Sequence, residues 1–282
     1  MTRLDLYLSQ NSLSQTREKA KREIIAGWVT VNGETVTDPS RPVTGSEQIS
    51  VRRPGGLYVS RGGQKLKHAL NAFGISLAGR VAADLGASTG GFTDCMLKEG
   101  AKKVYAVDVG YGQLDFSLRK DPRVAVMEKT NVRYLKRDNF SDPVDFVAAD
   151  LSFISILKIF DAIRKVFSPA EGVMLVKPQF EAEAGEHEKG VVRNKEAHAV
   201  ILTRVLSVLA EKGLIVKGLV HSPVRGPKGN IEFLVHFAMD GGSCRSAGMT
   251  EGLERTVWRI VEQAHAAFDT AAGPDDGSSS ET

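Results

Sequence analysis

Five short apolar-rich runs, Val81–Asp84, Lys103–Val107, Val124–Met127, Val144–Ala148 and Gly172–Val176, alternate with stretches of helical periodicity, and this alternation confines the chain to an α/β architecture. Runs so short and apolar bury both faces, as parallel strands do when crossover helices cover the sheet on either side. Helical spacing is clearest at Ile156–Phe167 and Lys195–Glu211. Two further runs, Leu214–Val220 and Ile231–Phe237, are joined by a Pro/Gly-rich loop too short for a crossover helix, so they are predicted to pair antiparallel at the sheet's edge. Residues 251–268 place Leu253, Val257, Ile260, Val261, Ala264 and Phe268 on one helical face, which is read as packing onto that sheet.

Residues 1–51 read differently, as a small α+β unit of two helices and short strands. Leu4, Leu6, Tyr7 and Leu8 suit a first helix; a second, capped by Ser14, turns Ala20, Ile24 and Ile25 inward and stops at Gly27. Trp28–Val31 and Glu34–Val36 flank Asn32-Gly33, a pair that tolerates the positive φ angles of a tight hairpin, and Gln48–Val51 is a third strand. Residues 1–67 hold eleven Lys/Arg against six Asp/Glu, although the whole chain carries only +3. The second helix presents Arg17, Lys19, Lys21 and Arg22, a face that suits a phosphate backbone or, more plainly, solvent. The pattern Arg3-Leu4-Asp5, Leu8, Arg17, Ala20, Ile24, Gly27, Val29 and Val31-Asn32-Gly33 resembles the small RNA-binding domain first described in ribosomal protein S-four. That resemblance adds Arg3 to the expected RNA-binding set.

The stretch Asp84-Leu85-Gly86-Ala87-Ser88-Thr89-Gly90-Gly91-Phe92-Thr93 follows a strand and opens a helix, the place where open α/β sheets bind nucleotides. Ser88 stands where a dinucleotide fingerprint needs its second glycine, which argues against a pyrophosphate; S-adenosylmethionine, the expected cofactor, has none. Asp108, just past the next strand, is placed to accept hydrogen bonds from two ribose hydroxyls, and Asn131, after the third strand, stands where a methyltransferase contacts adenine. The cofactor set is therefore Asp84, Gly86, Ala87, Ser88, Thr89, Gly90, Gly91, Phe92, Asp108 and Asn131.

Methyl transfer to a ribose hydroxyl needs aligned reactants and help in removing a proton whose pKa lies far above neutral. Lysines lower that pKa and stabilise the developing alkoxide, while carboxylates orient the lysines. Asp150 and Lys177 end strands; Glu232 begins an antiparallel one, so it falls on the same edge; Lys65 precedes the first strand. Taken singly, these four also read as a helix cap, an edge charge and solvated lysines.

Together the motifs Ser60-Arg61-Gly62-Gly63-x-Lys65-Leu66, Asp84 to Thr93, Asp108 to Leu114, Asp150-Leu151-Ser152-Phe153-Ile154-Ser155, Leu175 to Glu181 and Gly226-Pro227-x-Gly229-Asn230-x-Glu232 resemble TlyA-type proteins across nearly the whole chain. That resemblance implies a Rossmann-like class I methyltransferase domain of the FtsJ type over 60–268; the Arg/Pro/Gly composition after Val51 reads as a linker at 52–59, and the Gly, Ser and Asp-rich end as a disordered tail at 269–282. It also implies a Lys65, Asp150, Lys177, Glu232 tetrad and 2'-O-methylation of cytidine in ribosomal RNA, with ribosomal subunits as partners. Arg61 is a candidate phosphate contact, and Glu181 reads as a surface charge. Cys95 and Cys244 lack metal-site spacing, so no metal is expected. No apolar run approaches membrane-spanning length and Met1-Thr2-Arg3 opens no signal peptide, so a cytoplasmic protein is expected. Three other readings compete: a membrane-active hemolysin, which lacks a spanning segment; a non-catalytic assembly factor, which would not need an intact tetrad; and a small-molecule methyltransferase, which leaves the basic N-terminus without work.

Overall fold

The computed structural model describes residues 1–14, 16–51, 57–183, 185–239 and 250–269, so most of the expected linker, Cys244 and the tail beyond Asp269 lie outside the described residues. The N-terminal unit comprises β1 (Thr2–Arg3), α1 (Leu4–Gln10), α2 (Arg17–Ile25), β2 (Val29–Val31), β3 (Glu34–Val36), β4 (Pro42–Val43) and β5 (Ile49–Val51). Helix α2 starts later than Ser14 because Thr16 takes the cap: its backbone is extended and its hydroxyl accepts from the Lys19 amide at 3.1 Å. The Leu13 and Ser14 amides are tied back to the Leu8 carbonyl, closing α1 instead. Asn32 and Gly33, at φ 51° and 82°, make the two-residue turn that registers β2 on β3, and β5 pairs on the other side of β2. The β1–β4 pair was not anticipated, since Pro42 reads as loop. Leu4, Leu8, Ala20, Ile24, Val29, Val31, Val36 and Val43 form the core; Ile25, expected inward, is only half-buried.

The larger unit contains α3 (Gly62–Phe73), β6 (Val81–Leu85), α4 (Gly91–Lys98), β7 (Lys103–Val107), α5 (Phe116–Lys120), β8 (Val124–Met127), β9 (Phe146–Ala149), α6 (Phe160–Phe167), β10 (Ala170–Val176), α7 (Pro178–Glu181), α8 (Lys195–Glu211), β11 (Leu214–His221), β12 (Phe233–Met239) and α9 (Thr250–Asp269). Its seven strands lie in the order β11-β12-β10-β9-β6-β7-β8. The five central and far strands are parallel, and β12 runs antiparallel to both β10 and β11, as the short connecting loop requires. One core lies under α6, α8 and α9 and contains Phe160, Leu202, Phe233 and Val257; the other lies under α3 and α4 and contains Leu66, Met96, Phe146 and Leu234. Helix α3 was unread in the sequence, although Leu66, Ala69, Leu70 and Phe73 repeat at helical spacing.

Strand β6 has β7 on one side and β9 on the other, so the strand order reverses there. Chains leaving the carboxyl ends of β6 and β9 part to opposite faces, opening a crevice. That crevice positions the site.

Candidate active site

Four residues of the site are set by one topological fact. Gly86, Asp108, Asp150 and Lys177 are each the first residue beyond the carboxyl end of a parallel strand, β6, β7, β9 and β10 respectively. Glu232 immediately precedes antiparallel β12, and the Val176–Phe233 register brings it to the same edge beside Lys177. Lys65 arrives from the first turn of α3. All line one cavity of about 680 Å³, whose wall also includes Thr35 and Asp38 of the N-terminal unit.

The four predicted catalytic residues form two lysine–carboxylate pairs. Lys65 Nζ donates to Glu232 Oε2 at 2.5 Å, both groups buried. Lys177 Nζ forms an ion pair with Asp150 Oδ1 at 2.7 Å and donates to Ser152 Oγ at 2.7 Å. Burial pushes the Asp150 carboxyl up, but the ammonium groups of Lys177 and Lys65 win and hold it below the ordinary carboxylate range. Burial likewise works to strip the Lys177 charge, and Asp150 and Glu232 more than restore it, holding its pKa above the ordinary lysine value. The tetrad therefore presents a charged ammonium and an ionised carboxylate to the cavity at neutral pH.

The cofactor loop is built for close approach. A Cβ on Gly86, whose φ is +90°, would sit 2.4 Å from the Asp150 carbonyl oxygen, so only glycine lets the β6 and β9 ends come together here. Ala87, Ser88, Thr89, Gly91, Phe92, Asp108 and Asn131 line the cavity with it. Asp108 accepts from the Ser88 amide at 2.8 Å and the Gly110 amide at 2.6 Å, which fixes its carboxylate at the rim with acceptor capacity to spare. The Asn131 side chain accepts from the Arg133 amide at 3.0 Å, leaving its amide group available. Asp84 and Gly90 lie outside the cavity wall. Asp84 is fully buried, and its Oδ2 accepts from the Thr93 amide at 2.8 Å and hydroxyl at 2.6 Å, which ties β6 to α4. Burial, opposed by those hydrogen bonds, pushes its carboxyl up to about 7.

The N-terminal cations divide. Arg3 and Arg17 both donate to the buried Asp5, at 3.1 Å each, so these two guanidinium groups are held in place yet remain about half exposed. Lys21 pairs with Glu18 at 2.8 Å, while Lys19 and Arg22 are half-buried on the same helix. Beside the tetrad sit Ser152 and Gln179, which the sequence reading missed, and Arg61, which it read only as a phosphate contact. Ser152 receives Lys177, Gln179 Nε2 reaches Glu232 Oε1 at 3.5 Å, and Arg61 bridges the two units. Glu181 is not a surface charge: it is buried and accepts from the Ser155 hydroxyl at 2.6 Å and the Ile156 amide at 2.8 Å, clamping the loop that follows Asp150. The signal available was position, since Ser152 and Glu181 belong to the motifs that carry Asp150 and Lys177. Among the described residues no carboxylate, histidine and cysteine group is arranged to hold a metal, and no helix is long and apolar enough to cross a membrane.

The profile of the FtsJ-like methyltransferase family matches residues 58–239, and that of the S4 domain matches residues 2–49. YqxC of Bacillus subtilis is 44% identical over 266 residues, covering 93% of this chain and 94% of that protein. The 16S/23S rRNA (cytidine-2'-O)-methyltransferase TlyA of Mycobacterium tuberculosis is 40% identical over 264 residues, covering 93% and 97%. Among solved structures, a Streptococcus thermophilus protein designated a hemolysin superposes with a TM-score of 0.74 at 39% identity, covering 96% of this chain and 98% of that one.

Proposed function

This chain belongs to the FtsJ-like methyltransferase family and, within it, to the TlyA type, and from that premise we propose that it methylates the 2'-hydroxyl of cytidine in ribosomal RNA with S-adenosylmethionine as donor. The observation that carries this reading is the pair of lysine–carboxylate contacts in a cavity that also holds Asp108 and is walled on one side by the S4 domain. Residues 1–51 dock RNA through Arg3, Arg17, Lys19, Lys21 and Arg22; residues 60–268 carry the chemistry.

The residues present fit the donor. Glycine at 86 leaves the strand ends in contact beneath the loop, Asp108 offers acceptors at the rim for ribose hydroxyls, and Asn131 faces the same cavity for a base. When bound, S-adenosylmethionine supplies a methyl group on a positively charged sulfur. Lys177 Nζ then holds the ribose 2'-oxygen and favours negative charge on it. Because its pKa is raised, Lys177 stays charged and cannot take the hydroxyl's proton. That role falls to Asp150, the carboxylate beside Lys177, which lines the same cavity. A carboxylate suffices because the hydroxyl becomes far more acidic as its oxygen gives up an electron pair, so the proton leaves as the new bond forms while Lys177 offsets charge left on the oxygen. Lys65 and Glu232 fix the geometry from behind. The substrate makes this a cytoplasmic protein working on ribosomal subunits.

Labelled methyl transfer to separated small and large subunits lacking the modification tests the assignment, with Lys177→Ala as comparison. Label in RNA that maps to a ribose 2'-oxygen and disappears in the variant is expected. A folded, donor-binding protein that labels neither subunit rejects the ribosomal substrate.

A further inference from the structure

The Arg61 side chain joins three parts of the molecule that the chemistry above leaves unconnected. It sits at the N-cap of α3, one turn ahead of Lys65. Its Nη1 donates to Thr35 Oγ1 on β3 at 2.7 Å, across the boundary into the S4 domain. Its Nη2 donates to the Arg225 carbonyl at 2.9 Å, in the loop that leads to Glu232. Gly226 follows, packed so tightly on the Glu232 carboxylate that a Cβ there would lie 2.2 Å from Oε1, and its amide donates to the Asn230 carbonyl at 2.8 Å. On the S4 side, Gly27 faces the aliphatic part of Arg61, where a Cβ would come within 3.1 Å of Cδ. Gly27 and Thr35 thus form a socket, and the planar guanidinium, with divergent donors, spans from it to the catalytic loop as no lysine can.

We propose that Arg61 is a positioning residue that couples the S4 domain to the tetrad: docking of the Gly27–Thr35 socket on Arg61 holds loop 225–232, and with it Glu232, against Lys65. RNA engaged by the S4 domain thereby stabilises the catalytic arrangement through a side chain that need not touch RNA. The consequence for turnover rests on the methyltransferase reading; the mechanical coupling does not. The competing role for Arg61 is a direct phosphate contact, and the two differ in what a substitution in the other domain does.

Thr35→Val removes the acceptor while keeping the side-chain shape and leaving Arg61 in place. Amide hydrogen exchange in the full-length protein without RNA reads the loop directly. Thr35→Val is expected to speed exchange at Gly226 and Asn230 by about tenfold, a usual size for coupling between sites, with amides of β6 and β10 unchanged. Arg61→Lys is expected to do the same. In methyl transfer to ribosomal subunits, Thr35→Val lowers kcat about tenfold and leaves KM for RNA and its salt dependence as in wild type. Unchanged exchange in both variants overturns the proposal whatever the activity does. Loss confined to RNA KM, with a shallower salt dependence in Arg61→Lys alone, overturns it in favour of a phosphate contact. If the wild type transfers no methyl while loop exchange still responds to Thr35→Val, the functional reading fails and the coupling stands.

Discussion

The two lysine–carboxylate pairs of the site look alike in sequence and differ in kind. Glu232 is fully buried, Lys65 nearly so, and their hydrogen bond is short and direct. Asp150 keeps 21% of its side chain exposed, and Lys177, although 2.7 Å away, spends its hydrogen bond on Ser152. A buried pair joined by a direct hydrogen bond is a brace: it costs much to break. A pair whose carboxylate keeps part of its side chain exposed has room to meet a reacting hydroxyl. On the function proposed above, the site divides into Lys65–Glu232, which holds, and Lys177–Asp150, which acts.

The largest expected effect separates these roles on activity. Lys177→Ala should lower kcat by about 10³-fold, the usual size for removing a group that stabilises developing charge, with donor affinity nearly unchanged and a smaller loss of stability than at Lys65–Glu232. Steady-state transfer kinetics beside a thermal melt read both. A variant that keeps more than a tenth of wild-type kcat breaks the comparison. The next effect runs the other way. Glu232→Gln leaves the buried Lys65 ammonium without its directly bonded carboxylate and should cost about 3 kcal/mol in denaturant unfolding. Asp150→Asn, at the open pair, should cost clearly less while losing more activity. Equal stability losses would mean that both pairs are braces.

How much of this was legible follows from which parts depend on chain order. Asp108, Asp150 and Lys177 could be placed because parallel strands gather their carboxyl ends at one edge, and finding the strand finds the residue. Glu232 was placed by the same rule run in reverse, once the loop before β12 proved too short for a crossover. Lys65 was placed only by motif, since α3 went unread. Asp84 was grouped with the cofactor loop because it ends the strand run in sequence, yet its side chain points into the layer between β6 and α4. The brace formed by Arg61 and Thr35, the Ser152 partner of Lys177 and the burial of Glu181 all depend on meetings between distant segments. Residue type alone carries no trace of them. For Arg3 and Arg17 the cationic reading holds only half the account, since a buried Asp5 organises both.

A third carboxylate sharpens the comparison by showing what burial does when no lysine answers it. Asp150, deep but facing two ammonium groups, is held below the ordinary range; Asp84, fully buried, bonded by Thr93 and facing the like charges of Asp150 and Asp108, is pushed up to about 7, chiefly by burial. For Asp84 the native state keeps its proton after the unfolded chain, with its ordinary carboxyl, has lost it. A carboxyl raised on folding contributes stability that is fully present below its unfolded pKa and is lost as pH rises toward its folded value. Between about pH 4 and about pH 7 this group should therefore lower stability with a slope near 1.4 kcal/mol per pH unit, and contribute no slope above that window. Asp84→Asn keeps an acceptor for Thr93 and cannot titrate, so the difference in unfolding free energy between wild type and variant isolates the effect. That difference should move steadily against the wild type from pH 4 to 7 and then level off. A difference independent of pH would mean that Asp84 is ionised throughout, its charge supported by Thr93 alone, and the contrast between answered and unanswered carboxylates would fall.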